Sequence, residues 1–313
     1  MKKETLNYLK CPLCGGTDLS IKEDTVEKNE IKEGKIICSS CSKVYPIKDY
    51  IAIFDLDDKY SSNFGFEWNR FLDIKYKKEI VEFEIKNQIN LSRQEIQNKT
   101  IIEIGSGSGQ NLHYFIKEYK AKFAIGIELS SSVFTSKKRN LNIDNLDFIK
   151  ADLFSLPIKE NSFDIVFSNG VLHHTPNTYE AFKKIIPLVK KDGIVSIWVY
   201  GNYWSRKTKN LDFIREKITS KIPPKLLFYL SIIAAGFLYY IYRIPIIGDG
   251  LRNRLPIGMD KSFLERALST FDMYSPKYAH RHFVDEVYNW FKENNFYDIE
   301  PSRYIVGFKG RKS

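Results

Sequence analysis

The chain has 313 residues, enough for one large domain and one small one, and its 43% hydrophobic and 27% charged content excludes a disordered or fibrous protein. The net charge of +10 comes mainly from residues 201–313, which carry 19 Lys and Arg against 11 Asp and Glu. This excess suits RNA, an anionic membrane surface or an acidic substrate, and equally a solvated lysine-rich surface. The first ten residues do not resemble a secretory signal, so we expect a cytoplasmic, reducing location.

All four cysteines lie in two Cys-x-x-Cys pairs, Cys11 with Cys14 and Cys38 with Cys41. In a reducing compartment this spacing favours metal binding over disulfides, with free or redox-active thiols as the alternative. Four thiolates complete the tetrahedral shell of a zinc ion and leave no open position, so the metal is expected to be structural. The residues between the pairs alternate in polarity, which predicts short antiparallel strands.

The stretch after the second pair, residues 44–54, reads VYPIKDYIAIF. With the two cysteine turns it resembles the zinc-ribbon family of tRNA-methyltransferase activator subunits. Tyr50 stands where that family usually has glycine, and Ala52 where it usually has proline. The resemblance implies a zinc ribbon over residues 1–57, of the kind found both as separate activating subunits and as fused N-terminal modules.

A helical lead-in is expected over residues 58–98, and its most distinctive part is a run of aromatic residues around Gly65. The favoured interpretation is a helix that packs its aromatic side chains on the core of the next domain. The alternative is that Phe64, Trp68 and Arg70 cap a cofactor pocket.

From residue 99 to 201, short apolar segments rich in β-branched residues alternate with helical patterns. This alternation predicts a doubly wound α/β fold with a buried parallel sheet. The predicted strands are Thr100–Ile104, Phe123–Ile127, Leu146–Lys150, Phe163–Ser168 and Gly193–Tyr200. The predicted helices between them include Asn111–Tyr119, Ser131–Asn140 and Thr178–Val189.

The first of these strands runs into glycines at alternate positions, Gly105, Gly107 and Gly109, with Glu103 just ahead of them. Glycines let backbone N–H groups approach a ligand closely. A carboxylate at this place would repel a pyrophosphate but suits a ligand that carries an ammonium and a sulfonium. Glu128 ends the next strand, where its carboxylate can accept both ribose hydroxyls of a nucleoside.

These segments, in this order, resemble the class I S-adenosylmethionine-dependent methyltransferases of type 11. The resemblance implies a Rossmann-like seven-stranded methyltransferase sheet, a domain over residues 99–313 and S-adenosylmethionine as cofactor. Glu128 and Asp152 have the alternative role of helix N-caps. The implied cofactor-binding residues are Glu103, Gly105, Ser106, Gly107, Gly109, Glu128, Leu129, Asp152, Leu153 and Asn169.

Candidate catalytic residues follow the fourth strand, where His173 and His174 are adjacent. Either can serve as a general base, or one can be a buried core histidine and the other exposed. The preceding segment reads Ser168-Asn169-Gly170-Val171, without the Asn-Pro-Pro-Tyr type of motif that accompanies methylation of exocyclic amines. No cysteine follows Cys41, which disfavours C5-cytosine methylation.

A helical insert is expected at about residues 202–280, and it contains 17 consecutive uncharged residues, Leu226–Tyr242. We favour a buried or lid-forming helix, with peripheral membrane contact through 226–247 or a spanning helix as alternatives. The fold then closes with a helix at Val284–Phe291 and strands at Phe296–Glu300 and Tyr304–Gly310.

The leading functional hypothesis is a methyltransferase for a small-molecule or lipid-like acceptor. An RNA methyltransferase is the second, supported by the basic C-terminal third and opposed by the apolar insert. A non-enzymatic zinc-ribbon adaptor that retains the fold is the third.

Overall fold

The computed structural model describes residues 1–57, 61, 63–67, 78–202, 206–244, 246–260 and 262–313, with 206–208 and 247 described by their backbone only. Trp68 and Arg70, two of the three residues considered as pocket caps, lie outside the described residues.

The N-terminal part is a small antiparallel sheet, as the alternating sequence predicts. Its strands are β1 (Leu19–Glu27), β2 (Glu30–Cys38), β3 (Val44–Lys48) and β4 (Ile51–Ile53). Between β3 and β4, Asp49 and Tyr50 have positive φ angles of 47° and 67°. Such angles are the reason that glycine is favoured at a position like Tyr50.

The second part contains the seven strands predicted for a methyltransferase sheet. They are β5 (Thr100–Ile104), β6 (Phe123–Glu128), β7 (Leu146–Lys150), β8 (Phe163–Asn169), β9 (Val189–Trp198), β10 (Phe296–Pro301) and β11 (Gly307–Lys312). Strands β5 to β9 pair in parallel, and β11 pairs antiparallel with both β9 and β10. The doubly wound fold class is confirmed.

Two strands were predicted to begin and end at the wrong residues, β9 (predicted Gly193–Tyr200) and β11 (predicted Tyr304–Gly310). Strand β9 begins at Val189 and not at Gly193. Asp192 has a φ of 60° and forms an irregularity inside the strand, whereas the predicted strand began only after it. Strand β11 begins at Gly307, three residues after the predicted start, because Tyr304 is still in the bend that precedes it.

Helices cover the sheet and form the insert. They are α1 (Lys78–Glu84), α2 (Arg93–Ile96), α3 (Gln110–Lys117), α4 (Ser132–Arg139), α5 (Thr178–Ile185), α6 (Arg206–Lys217), α7 (Pro224–Ile241), α8 (Ile247–Arg252), α9 (Phe263–Tyr274) and α10 (Val284–Glu293). A π-helical turn, Ile85–Ile89, continues α1. The insert, α6 to α9, has its own apolar core, which includes Phe228 and Phe271.

The two sheets are joined into one sheet of eleven strands, in the order β1-β2-β3-β4-β7-β6-β5-β8-β9-β11-β10. The joint is a parallel pairing in which Ala52 of β4 lies opposite Ile149 of β7 and Ile53 opposite Lys150. A single apolar core cluster extends through both parts, since it contains Ile36 of β2 and Ile125 of β6. The sequence patterns did not predict this continuity.

Buried charges add a second connection between the two parts. Lys137 of α4 donates to Asp147 of β7 over 2.9 Å and also to Glu30 of β2. Thr5 donates its hydroxyl to Asp147 over 2.6 Å. Burial alone would raise the pKa of Asp147, but Lys137, the chain's amino group and Thr5 outweigh it and lower that pKa to about 2. Asp147 is therefore ionised and paired in the folded chain.

We predict that Asp147→Asn destabilises the chain by about 3 kcal/mol at neutral pH, because it leaves a buried lysine incompletely paired. The folded pKa of Asp147 lies below its unfolded value, so its contribution is present above about pH 4 and is lost as the pH falls toward 2. Urea unfolding at several pH values measures both effects. The control is Asp249→Asn at an exposed carboxylate, and equal urea midpoints for the two variants at neutral pH would contradict the prediction.

Candidate active site and cysteine cluster

A cavity of about 460 Å³ lies at the carboxyl ends of β5, β6 and β8. The order of the strands reverses at β5, since β6 lies on one side of it and β8 on the other. At such a switch point the chain connections leave in opposite directions and open a crevice, which is the usual ligand site in this class of sheet.

The glycine turn after β5 forms the floor of this cavity. Gly105 has a φ of 76°, and a Cβ atom there would lie 2.5 Å from the methyl groups of Val171. The backbone N–H groups of Gly105 and Ser106 both donate to the carbonyl of Ile127, over 2.8 and 2.9 Å. The turn is therefore tied to β6 on one side and packed against the segment after β8 on the other.

Glu128 holds the end of β6 against the same turn. One carboxylate oxygen accepts the N–H of Gly107 over 2.9 Å, and the other accepts the N–H of Ser130 over 2.8 Å. Its side chain is buried and lines the cavity. The carboxylate is thus fixed at the end of β6 by two backbone N–H groups, and its binding of ribose stays a prediction.

Glu103 is the most unusual group in the cavity. Burial raises its pKa well above the usual range, the nearby Glu84 and Glu128 add to this, and Asn111 opposes it by donating to one oxygen over 3.1 Å. Among the described residues, the second carboxylate oxygen has no hydrogen-bond partner. A buried carboxylate in this state is completed by a cationic or hydrogen-bond-donating ligand.

Three more buried polar atoms in the cavity wall have no partner among the described residues: Ser106 Oγ, Asn111 Oδ1 and Asn169 Oδ1. They lie with Glu103 around one cavity, so a polar ligand there would satisfy all four. Nine of the predicted site residues line the cavity. These are Glu103, Gly105, Ser106, Gly107, Glu128, Leu129, Leu153, Asn169 and His174.

Three predicted site residues do not line the cavity. Asp152 accepts the N–H of Phe154 over 3.0 Å as an N-cap, although its neighbours Ala151 and Leu153 are in the wall. Gly109 starts α3 with a φ of 73°, and a Cβ there would meet Phe148 at 2.5 Å. His173 is fully buried against Tyr200, with ring centroids 3.9 Å apart.

His174 is the histidine that faces the cavity. Its Nδ1 lies 2.7 Å from the carbonyl oxygen of Tyr278, so Nδ1 carries the proton and Nε2 is the unprotonated nitrogen. Burial lowers its pKa to about 4, which the carbonyl of Tyr278 only partly offsets. Burial and the neighbouring His174 also hold the pKa of His173 well below its usual range. Both imidazoles are therefore neutral at neutral pH.

Sequence reasoning missed several cavity residues, namely Glu67, Glu84, Gln88, Trp198 and Tyr200. Trp198 and Tyr200 could have been predicted from the sequence as cavity residues, because they are two positions apart at the carboxyl end of β9 and therefore face the same side. Phe64 also lines the cavity, as one of the two interpretations of the lead-in proposed, whereas Phe66 packs on Phe228 and Phe271.

The four cysteines form a second site, at the far end of the molecule's N-terminal sheet. Their sulfur atoms all lie within 4.8 Å of one another. The sulfurs of Cys11 and Cys41 are 3.7 Å apart and those of Cys14 and Cys38 are 3.6 Å apart, too far for disulfides. A tetrahedral zinc ion with Zn–S bonds of about 2.3 Å requires sulfurs about 3.8 Å apart. The geometry thus fits structural zinc.

Two family models match the chain. Residues 102–197 match the methyltransferase domain family, and residues 2–49 match the Trm112p-like protein family. The chain therefore carries a methyltransferase domain preceded by a Trm112p-like domain.

Individual relatives match a smaller part. A fatty-acid O-methyltransferase from Mycolicibacterium smegmatis is 24% identical over 44% of this chain and 51% of its own length. A tRNA U34 carboxymethyltransferase from Histophilus somni is 32% identical over 31% of each chain. The chain spans about half, or less, of the length of the curated relatives it matches.

Among solved structures, the complex of the Haloferax volcanii Trm112 methyltransferase activator with a methyltransferase is similar. The match has 17% identity and a TM-score of 0.36, and it covers 44% of this chain and 58% of that one.

We predict that purified chain contains one zinc ion and that Cys38→Ser, at a buried cysteine, loses it. Because the small N-terminal sheet depends on the metal, the variant should also unfold at a lower temperature. Zinc is measured by mass spectrometry and unfolding by calorimetry. Ser39→Ala, an exposed neighbour in the same turn, is the control. The prediction would be contradicted by a wild-type chain that contains no zinc and by a Cys38→Ser variant that unfolds at the same temperature as wild type.

Proposed function

We propose that this chain is an S-adenosylmethionine-dependent methyltransferase that acts on a small-molecule or lipid-like acceptor. The observation that carries the proposal is the buried Glu103, which has an unpartnered oxygen in a cavity beside Glu128. S-adenosylmethionine carries an ammonium and a sulfonium, which complement the first carboxylate, and ribose hydroxyls, which complement the second. A dinucleotide would place its pyrophosphate against Glu103, at an electrostatic cost.

The chain's own residues would mainly position the reactants. When bound, S-adenosylmethionine would supply an activated methyl group on its sulfonium, and sulfur would be the leaving group as the bond to the acceptor forms. The unprotonated Nε2 of His174 is the proposed recipient of the proton that the acceptor loses. Alignment of the two reactants by the cavity would contribute the rest of the acceleration.

The acceptor class is inferred from the walls of the cavity. Five carboxylates line it, from Glu67, Glu84, Glu103, Glu128 and Asp272. Such a lining repels a polyanion, which favours a small or lipid-like acceptor over RNA. The fatty-acid O-methyltransferase relative supports the same class.

RNA remains the second candidate, because a tRNA U34 carboxymethyltransferase is among the relatives and the C-terminal third of the chain is basic. On this alternative the basic surface would hold the nucleic acid outside the acidic cavity, and a single base would enter it.

We predict that Glu128→Ala lowers the affinity for S-adenosylhomocysteine at least tenfold in titration calorimetry. The reason is the loss of charge-assisted hydrogen bonds, each of which contributes about 1.5–3 kcal/mol. Glu118→Ala, at the exposed residue that caps the end of α3, is the matched control. Since Glu128 also holds Gly107, thermal unfolding of the ligand-free variants separates lost binding from lost structure. Equal affinity of the two variants would contradict the cofactor assignment.

The acceptor is tested by transfer of a labelled methyl group from S-adenosylmethionine to cell extract separated into RNA, lipid and small-molecule fractions. We expect label in the lipid or small-molecule fraction, and none with Glu128→Ala. Label confined to the RNA fraction and removed by ribonuclease would overturn the acceptor class. A wild-type chain that binds no S-adenosylmethionine would favour a non-enzymatic adaptor instead.

A further inference from the structure

Helix α7 exposes a continuous stripe of large apolar side chains. Ile233 is 65% exposed, and Phe237 and Tyr240 are each 67% exposed. The members of the stripe recur every three or four residues, apart from one adjacent pair, and so share one face of the helix. They are Leu226, Tyr229, Leu230, Ile233, Phe237 and Tyr240.

The opposite face of α7 is covered by protein. Leu227, Phe228 and Ala235 are buried, and Phe228 packs on Phe271 of α9 with ring centroids 5.9 Å apart. The guanidinium of Arg266 in α9 lies 3.8 Å from the centre of the Tyr239 ring. By length and composition α7 is the one described helix that could cross a membrane, and only 22% of it is buried in the protein, but its covered side packs on α9 beside the guanidinium of Arg266. A helix covered on one side and apolar on the other suits an interface better than a span.

Cations surround the stripe. Lys221 and Lys225 are exposed at the start of α7, and Arg243 and Arg254 are exposed beyond its end. Within Pro224–Ile241 the only charged residue is Lys225. The apolar face is therefore bordered by positive charge at both ends, a pattern that complements an anionic lipid surface.

We propose that the exposed face of α7 docks on an anionic lipid membrane, with its apolar stripe in the outer acyl region and the flanking cations against lipid headgroups. A second copy of the chain is a poorer occupant, because it would bring the same cations to the same face. RNA is also poorer, because the centre of the face offers only apolar side chains. The proposal does not depend on the methyltransferase activity.

Docking at this face would bring the cavity close to the lipid surface. Phe66 packs against both Phe228 of α7 and Phe271 of α9. The residues that follow Phe66 and Phe271 in the chain, Glu67 and Asp272, line the cavity. The segments that support the docking face therefore also form part of the cavity wall. This arrangement suits an acceptor that is itself held in the membrane.

The test is sedimentation of the full chain with vesicles of phosphatidylcholine, with and without phosphatidylserine. We expect binding to the phosphatidylserine vesicles that weakens as salt is raised. Ile233→Ser/Phe237→Ser should weaken binding at least tenfold, because two large apolar side chains no longer enter the bilayer. Lys221→Glu/Lys225→Glu should remove the preference for phosphatidylserine. The matched control is Leu56→Ser, which changes an equally exposed apolar residue elsewhere.

Three outcomes would overturn the proposal. The first is wild-type chain that stays in solution with both kinds of vesicle, and the second is an Ile233→Ser/Phe237→Ser variant that binds as wild type does. The third is a lipid-free dimer in sedimentation equilibrium that the same double variant converts to a monomer, which would assign the face to a second copy. Because all these residues are exposed, circular dichroism should show unchanged folding in each variant.

Discussion

The close approach of Gly105 to Val171 is the constraint on which the cavity depends. Strand β5 lies between β6 and β8, and its chain turns at Gly105 with a left-handed φ and no side chain. A Cβ there would overlap the methyl groups of Val171. Because the backbone can come this near, the N–H groups of the turn bond to β6, and Glu103 and Glu128 face the same space from neighbouring strand ends.

Charge is distributed oppositely inside and outside this protein. The chain has a net charge of +10, yet five carboxylates line the cavity at the carboxyl ends of β5, β6 and β8. Burial raises the pKa of Glu103 well above its usual range, the charges of Glu84 and Glu128 add to the rise, and a cationic ligand relieves that repulsion. The exterior cations around α7 suit an anionic surface instead. The same chain can thus hold a cationic cofactor within and meet anionic headgroups outside, without competition between the two.

Local patterns predicted much of this molecule. Short β-branched runs located β5 to β8, and the cysteine spacing located a cluster whose sulfurs have tetrahedral separations. What the patterns missed was set by contacts between distant segments. The pairing of Ala52 with Ile149 joins residues almost a hundred positions apart in the chain, and the sequence around neither residue indicates it. Asp192 has a single positive φ angle inside β9, and the sequence there resembles that of a turn.

The N-terminal domain supports the cavity through the edge of the sheet. Strand β4 pairs with β7, and the chain leaving β7 supplies Ala151 and Leu153 to the cavity wall. Without the N-terminal domain, the backbone of β7 would be an unpaired edge, and Asp147 would lose Thr5 as a donor. The cysteine cluster holds the two turns that flank β1 and β2, so a metal there stabilises β4 indirectly through this small sheet. A closed thiolate site that does not line the cavity would in this way help to keep one wall of the cavity in place, without any part in the chemistry.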